Sequence, residues 1–460
     1  MSKLPEDDAA PALALLARHA SRLTLASAPE RVRRQARLCI LDTVGCMIAG
    51  TQTEEARLVL ACEPADAGAD LVTVPGTAER RGLLGALRVN GYLGDVLELN
   101  DLIGGHASIG NVAAAMALAE AGGASGAALL EAVIRGIEVT TRVYSAVYPS
   151  LKRYTEVGMV PVGLPSAIGA AAAAARLLDL DEAQTLHAMA IAGGLAGWCP
   201  AEVIFGQGGT MKPLLFGAQP AATGVTAARY ARHGMTGPQR LLESKVGYLA
   251  TTSLSGTVDT SPWQATWALQ QPRRKLHACC GYLHSAVDAV SRLRAECGDA
   301  LQRGALQVRV PPYVADVVSK TAPPSSANDA RFHLQYCLAL AVCGSDVILP
   351  VHSIHFQSHC CQPDVEAAMA RVQVVQDPAL SHYHQCALTF TADDGTRRTV
   401  AVSAPRGAPS EPLSDQDVVD KFLALSTPVI GPAAAGRFAD SVLNLENCAD
   451  TRDLMRLVAR

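Results

Sequence analysis

The sequence predicts a mainly α protein in which a smaller α+β domain is inserted between two helical blocks. Of its 460 residues, 49% are hydrophobic but only 4% are aromatic. The apolar mass is therefore mostly Ala, Leu and Val, which favours closely packed helices over a β-sandwich. Helical periodicity recurs from Pro11 to about Thr251 and returns after Ala404. Between these blocks, alternating residues flank Asp394-Gly395, the mark of a β-hairpin. A chain this long exceeds one simple core. Residues 1–260 and 405–460 are accordingly expected to form one all-helical domain, made from both chain ends, around an α+β domain at 261–404.

Each element has its own signal. The segment Pro29 to Ala49 opens with Pro-Glu, carries Arg31, Arg33, Arg34 and Arg37 on one side, and stops at Gly50. Ala-rich runs at Val112 to Ala121 and Ala167 to Ala175 let helix backbones approach closely. The character changes near Ser261. Leu306 to Val318 reads as a strand interrupted at Pro311-Pro312, Asp346 to Phe356 as a second strand and Arg371 to Val375 as a third. Ala387 to Val402 suits a hairpin with a type I′ turn at Asp394-Gly395. A Pro-rich linker, Ala404 to Pro412, leads to Ser414-Asp-Gln-Asp417, which resembles an N-cap with an acid three residues on.

Composition narrows the function classes. A formal net charge of −4 gives no footprint for nucleic acid or an anionic membrane surface, while local lysines leave small anionic substrates possible. The 13 cysteines are scattered without a repeating spacing, which fits reduced thiols in a cytoplasmic protein. The N-terminus MSKLPEDDAA lacks the features of a signal peptide. Ser166 to Leu178, the most apolar stretch, is interrupted by Arg176 and too short to span a bilayer, so a buried helix is expected.

No P-loop, GxGxxG, HExxH, GxSxG or paired CxxC motif is present. Four places offer chemistry. Glu98-Leu-Asn-Asp101, followed across Gly104-Gly105 by His106, could form an acid/base group on a mobile loop, or simply a helix end with surface acids. Gly206-Gln-Gly208-Gly209-Thr210-Met-Lys212-Pro213 offers open amides, a hydroxyl and a charge to an anion, or a plain flexible loop. Arg273-Arg-Lys275 precedes Cys279-Cys280, where cations could bind carboxylates or lower a thiol pKa; the alternative is a solvated charge run. His352, His355, His359, Cys360 and Cys361 are zinc-type residues. A strand would put His352 and His355 on opposite faces, so no metal site is expected.

Taken together, these stretches resemble the MmgE/PrpD family, whose members include 2-methylcitrate dehydratase, cis-aconitate decarboxylase and iminodisuccinate epimerase. The resemblance begins at Leu41-Asp-Thr-Val-Gly-Cys-Met-Ile-Ala-Gly50 and continues through Val89-Asn-Gly91 and the acids before His106. It extends through Gly169 to Leu180, Thr210 to Pro213 and Lys275 to Asp288. It ends at Pro412-Leu-Ser-Asp and Asn444-Leu-Glu446. It implies a helical domain built from both chain ends plus a smaller α+β domain, usually in a homodimer. The implied active site lies between the domains and uses neither metal nor organic cofactor. By position, the family's catalytic histidine falls on His106, its loop lysine on Lys212, its second-domain lysine on Lys275, and its acid on Glu98 or Asp101. This chain departs from the family at three positions. Leu102 stands where a Thr is frequent, Val160 where a His is usual, and Cys280 where the decarboxylase branch has a His.

The resemblance and the residues together imply a lyase that takes a proton α to a carboxylate and eliminates water from a hydroxy di- or tricarboxylate. His106 would be the base, Glu98 or Asp101 would orient it, and Lys212 and Lys275 would stabilise the developing charge. The amides of Gly208, Gly209 and Thr210 would bind a substrate carboxylate, with Cys280 beside it. An epimerase or isomerase of a dicarboxylate is the runner-up, ahead of a decarboxylase or an inactive binding protein.

Overall fold

Pro29 caps the first long helix, Glu30–Gly50, and Glu30 sits in its first turn, where an acid complements the helix dipole. From Leu38 onward every residue of this helix is buried. Its polar side faces the other end of the chain: Arg34 pairs with Asp415, and Arg37 Nε donates to Glu446 Oε2 at 3.0 Å. The C-terminal helix Asp415–Ile430 lies against it so closely that a Cβ on Gly45 would stand 3.2 Å from Phe422 Cδ2. Ser414 starts that helix as expected. Its hydroxyl accepts from Asp417 N–H at 3.1 Å, and the Asp417 carboxylate accepts from Ser414 N–H at 2.7 Å. The computed structural model describes residues 10–63, 71–256, 263 and 266–460. The acidic N-terminal residues 1–9 and the expected boundary at 260/261 lie outside them.

Two hydrophobic cores follow. One joins both chain ends, from Ala12 to Val458, and contains the Ala-rich helices Ala107–Gly122 and Gly163–Leu177. Burying a methyl group contributes only about 0.8 kcal/mol, so an alanine core depends on many close contacts. Where these helices cross Gly126–Val147, a Cβ on Gly169 would fall 1.9 Å from Thr140 Oγ1. Asn111 Nδ2 seals the crossing with bonds to Ala107 O at 2.6 Å and Thr140 Oγ1 at 2.9 Å. Among the described residues, no helix is long and apolar enough to cross a membrane.

The second core lies mainly between Cys279 and Val402 and adds residues from Tyr154 to Phe216. Two short strands, β1 (Leu71–Thr73) and β2 (Arg80–Gly82), pair antiparallel in the helical part; nothing in the sequence pattern announced them. The main sheet has β3 (Ala305–Val310), β4 (Val372–Gln376), β5 (Cys386–Thr391) and β6 (Arg397–Val402) in the order β4-β3-β5-β6. Only β3 and β4 run parallel. Leu306, Val308 and Val310 alternate into the core, and the helix His284–Cys297 packs on β5 and β6.

Three local expectations are corrected. The strand expected over 306–318 ends at Val310, because Pro312 stands at the first position of a helix, Pro312–Val318. The strand expected over 346–356 is absent for the same reason: Pro350 opens a short helix, Pro350–Ile354, followed by Phe356–Cys360. The β5–β6 hairpin forms, but not through a type I′ turn. Gly395 alone is left-handed, at φ +82°, and its N–H bonds Ala392 O at 2.9 Å, the pattern of a three-residue loop with a bulge glycine.

Candidate active site

The helix Leu83–Asp95 delivers Asp95 at its end, and the chain then turns through Glu98 in a left-handed conformation, at φ +52°. A second left-handed run, Gly104, Gly105 and His106 (φ +49°, +66° and +71°), leads into the helix Ala107–Gly122. Far from hanging free, this turn is pressed on the helix Gly126–Val147. A Cβ on Gly104 would lie 2.4 Å from Thr141 Oγ1, and one on Gly105 2.4 Å from the Tyr144 ring. Left-handed backbone at Glu98 and His106 costs on the order of 1–2 kcal/mol each, and surrounding contacts must hold it.

At Glu98 those contacts are ionic. Its carboxylate meets Lys212 on one oxygen and Lys275 Nζ on the other, the latter at 2.6 Å. Lys275 Nζ also donates to the Glu98 carbonyl at 2.7 Å, and Lys212 Nζ lies 2.8 Å from Asp95. All four side chains are buried. Burial alone would raise the Glu98 pKa, but the charges of Lys212 and then Lys275 hold it well below the usual carboxylate range. Asp95 goes the other way: burial outweighs Lys212 and pushes it up to about 6. Lys212 reaches this cluster from the junction between the 3₁₀ turn Gly209–Met211 and a π-helical stretch, Leu214–Ala218, and its Nζ lies 4.6 Å from the centre of the Phe216 ring.

His106 also packs against Phe216, with ring centres 5.9 Å apart. Burial, and then the Lys212 charge, lower its pKa well below the ordinary value, so the imidazole is neutral. Its Nδ1 lies 3.2 Å from Asn100 Nδ2, which also donates to the Asp101 carbonyl at 2.9 Å. The residue touching the imidazole is thus Asn100, rather than the expected Glu98 or Asp101. Asp101 instead closes the turn before the helix, accepting from Ile103 N–H at 3.2 Å and Ser108 Oγ at 2.5 Å.

His106, Glu98 and Cys280 line a cavity of about 70 Å³ between the two cores. Its remaining wall is largely aromatic, with Tyr144, Tyr148, Tyr154, Tyr282 and Tyr383 set among phenylalanines, and it carries the cation Arg273. Lys212 and Lys275 do not line this space; they stand behind Glu98. The Cys280 thiol is pushed up to about 12 by burial and then by Glu98, so the neighbouring cations do not make it a thiolate. The expected cradle of Gly208, Gly209 and Thr210 does not form at the cavity. Gly208 N–H is spent on Ile204 O at 3.1 Å, and Gly209 and Thr210 are exposed. The stretch serves to deliver Lys212.

Of the three departures, Leu102 lines the cavity and its N–H bonds Arg273 O at 2.9 Å. Val160 is buried in the second core and is not part of the cavity wall. In the His352 group, His352 and His359 sit on two short helices with their rings 5.0 Å apart. Among the described residues, no group of three or more His, Cys, Asp or Glu is placed to hold a metal ion.

The MmgE/PrpD N-terminal domain matches residues 14–261 and the MmgE/PrpD C-terminal domain residues 277–447. The chain belongs to the MmgE/PrpD family. Relatives within the family include a cis-aconitate decarboxylase-like protein of Aspergillus oryzae, 26% identical over 94% of each chain. The cis-aconitate decarboxylase of Aspergillus terreus is 25% identical over 95% of this chain and 94% of its own. That of Homo sapiens is 26% identical over 93% and 90%. An MmgE/PrpD chain of this sequence showed His106, Lys212 and Lys275 by motif. Arg273 stood in the basic stretch read as able to bind carboxylates, whereas Asp95, Asn100 and the tyrosines went unnoticed as site residues. Asp95 had a signal, lying one helical turn before Glu98; the tyrosines are too scattered in sequence to have one.

Proposed function

We propose that this chain is a lyase acting on a small hydroxy di- or tricarboxylate, removing a proton α to a carboxylate and expelling water, as a 2-methylcitrate dehydratase does. The observation that supports this best is a half-buried, neutral His106 on the wall of a cavity backed by two ammonium groups. A neutral imidazole starts the cycle able to accept a proton. Its base form needs the proton on Nδ1. The orphaned, buried Asn100 Oδ1 accepts a hydrogen bond from Nδ1–H once the amide turns over and gives up its bond to the Asp101 carbonyl, leaving Nε2 as the basic nitrogen. Charge building on the substrate carboxylate is met by the field of Lys212 and Lys275 behind Glu98, in a low-dielectric site where such charges act strongly. The departing hydroxyl needs a proton. Tyr154 and Tyr282, joined hydroxyl to hydroxyl at 2.5 Å and kept protonated by burial, supply it. The proton on His106 then returns to the phenolate, and water and an alkene leave.

Decarboxylation is the second reading, favoured by the names of the relatives. It asks His106 to begin as the acid that protonates the carbanion, and burial and Lys212 oppose that charge. Epimerisation would follow if the proton returned to the opposite face without loss of hydroxide. Proton NMR in deuterated water with a panel of di- and tricarboxylates separates the three. Loss of water to an alkene with no carbon dioxide released marks elimination, α-deuteration without turnover marks epimerisation, and loss of carbon dioxide marks decarboxylation. Folded protein that does none of these with any acid defeats the proposal. His106→Asn, chosen because Asn tolerates positive φ, should abolish exchange and leave the melting temperature nearly unchanged.

A further inference from the structure

The cation facing the cavity is neither lysine. Arg273 lines the 70 Å³ chamber beside His106 and also an outer groove of about 530 Å³, and Leu102, Tyr144 and Tyr148 are shared by both. Arg273 therefore stands at the neck between them. Its guanidinium donates to Tyr383 Oη at 3.0 Å and lies 6.0 Å from that ring's centre. Among the described residues, no carboxylate is within ion-pair distance of it. The neighbouring cations are all matched: Arg274 faces Asp101 at 4.0 Å, and Lys212 and Lys275 share Glu98. A half-buried guanidinium with one of its five N–H groups on a phenol is short of acceptors and of negative charge.

We infer that Arg273 anchors a second carboxylate of the substrate, so that the substrate spans the neck with one carboxylate beside His106 and another on the guanidinium. This rests on the cavity being the active site. The planar fork of arginine matches a carboxylate through two parallel bonds. The position also settles a question of size. A chamber of 70 Å³ is far below the usual volume of a small-molecule site, on the order of 300 Å³ or more. A substrate lying through the neck places only its reacting end inside, and the outer groove holds the rest.

Calorimetric titration of the intact protein with propane-1,2,3-tricarboxylate, glutarate and butyrate tests this without turnover, because none of the three carries a leaving group. Wild type should bind the first two more tightly than butyrate. Arg273→Gln should weaken them at least about tenfold, the scale of a lost charge-assisted pair, and leave butyrate unchanged. Arg273→Lys, which keeps the charge but loses the fork, should fall between and carries the test if Arg273→Gln does not fold. Unchanged tricarboxylate affinity in the variants, an equal loss for butyrate, or no binding of any acid to wild type overturns the inference. Arg273-dependent binding without any chemistry in deuterated water would instead leave the anchor standing and remove the proposed reaction.

Discussion

Glu98 Oε2 stands 2.6 Å from Lys275 Nζ, and the same ammonium reaches back to the Glu98 carbonyl at 2.7 Å. One carboxylate thereby holds two cations, from positions 212 and 275, and fixes its own left-handed backbone. Glu98→Gln leaves Lys212 and Lys275 buried with Asp95 as their remaining acid. Breaking a buried pair in this way costs about 3–5 kcal/mol. Denaturant melts of the variant should show a loss of that order together with loss of turnover. A variant as stable as wild type would mean that the cluster does not hold this turn.

The pH profile should carry the mark of His106. Its folded pKa lies well below the ordinary value of about 6.5, so the neutral base persists in acid, and kcat/KM should fall only well below pH 6.5. The sign for stability agrees. A depressed pKa adds stability that is present above the unfolded value and lost as pH falls through the folded one. Asp95, pushed up to about 6, contributes oppositely: its stabilisation is present below its unfolded value and lost as pH rises through about 6. An acid limb of kcat/KM centred at 6.5 or higher would exclude a base with a depressed pKa.

Much of this was readable in the chain, and the misses have physical causes. The helical blocks and the hairpin followed from periodicity and from Asp394-Gly395, which are local signals. Asp346 to Phe356 looked like a strand because its apolar run is short, and a five-residue helix started by Pro350 has the same composition. At the site, motifs showed which residues come together but not their order in depth. That Lys212 and Lys275 sit behind Glu98, and that Arg273 faces the cavity, depends on packing between elements far apart in sequence.

Val160 gives a direct test of that point. Restoring the histidine usual in the family looks like a route to a second proton-transfer group. Val160 is buried in apolar surroundings, however, and its N–H is bonded to Cys199 O at 2.8 Å. Val160→His should bury an unsatisfied imidazole at a cost of about 1–3 kcal/mol and bring no new activity. Carbon dioxide release from cis-aconitate by this variant, absent in wild type, would show that position 160 does reach the substrate.

Lys421 is the last residue whose role follows from its contacts. Its ammonium donates to Leu99 O at 2.6 Å and Lys275 O at 2.8 Å, and pairs with Asp42 at 2.6 Å. Asp42 lies in the Leu41-Asp-Thr stretch of the first long helix, so helices from both chain ends meet in one ion pair. That pair pins the peptides adjoining Glu98 and carrying Lys275. Lys421 touches neither the cavity nor His106, and acts as a positioning residue. Lys421→Met with Asp42→Asn removes the pair without leaving a bare charge. The double variant should fold, lower kcat about 10–100-fold through misplacement of the cluster, and leave KM nearly unchanged. Lys421→Arg alone should recover part of the rate by restoring the charge and the donors. A stable double variant with wild-type kcat would show that Glu98 and Lys275 keep their places without it.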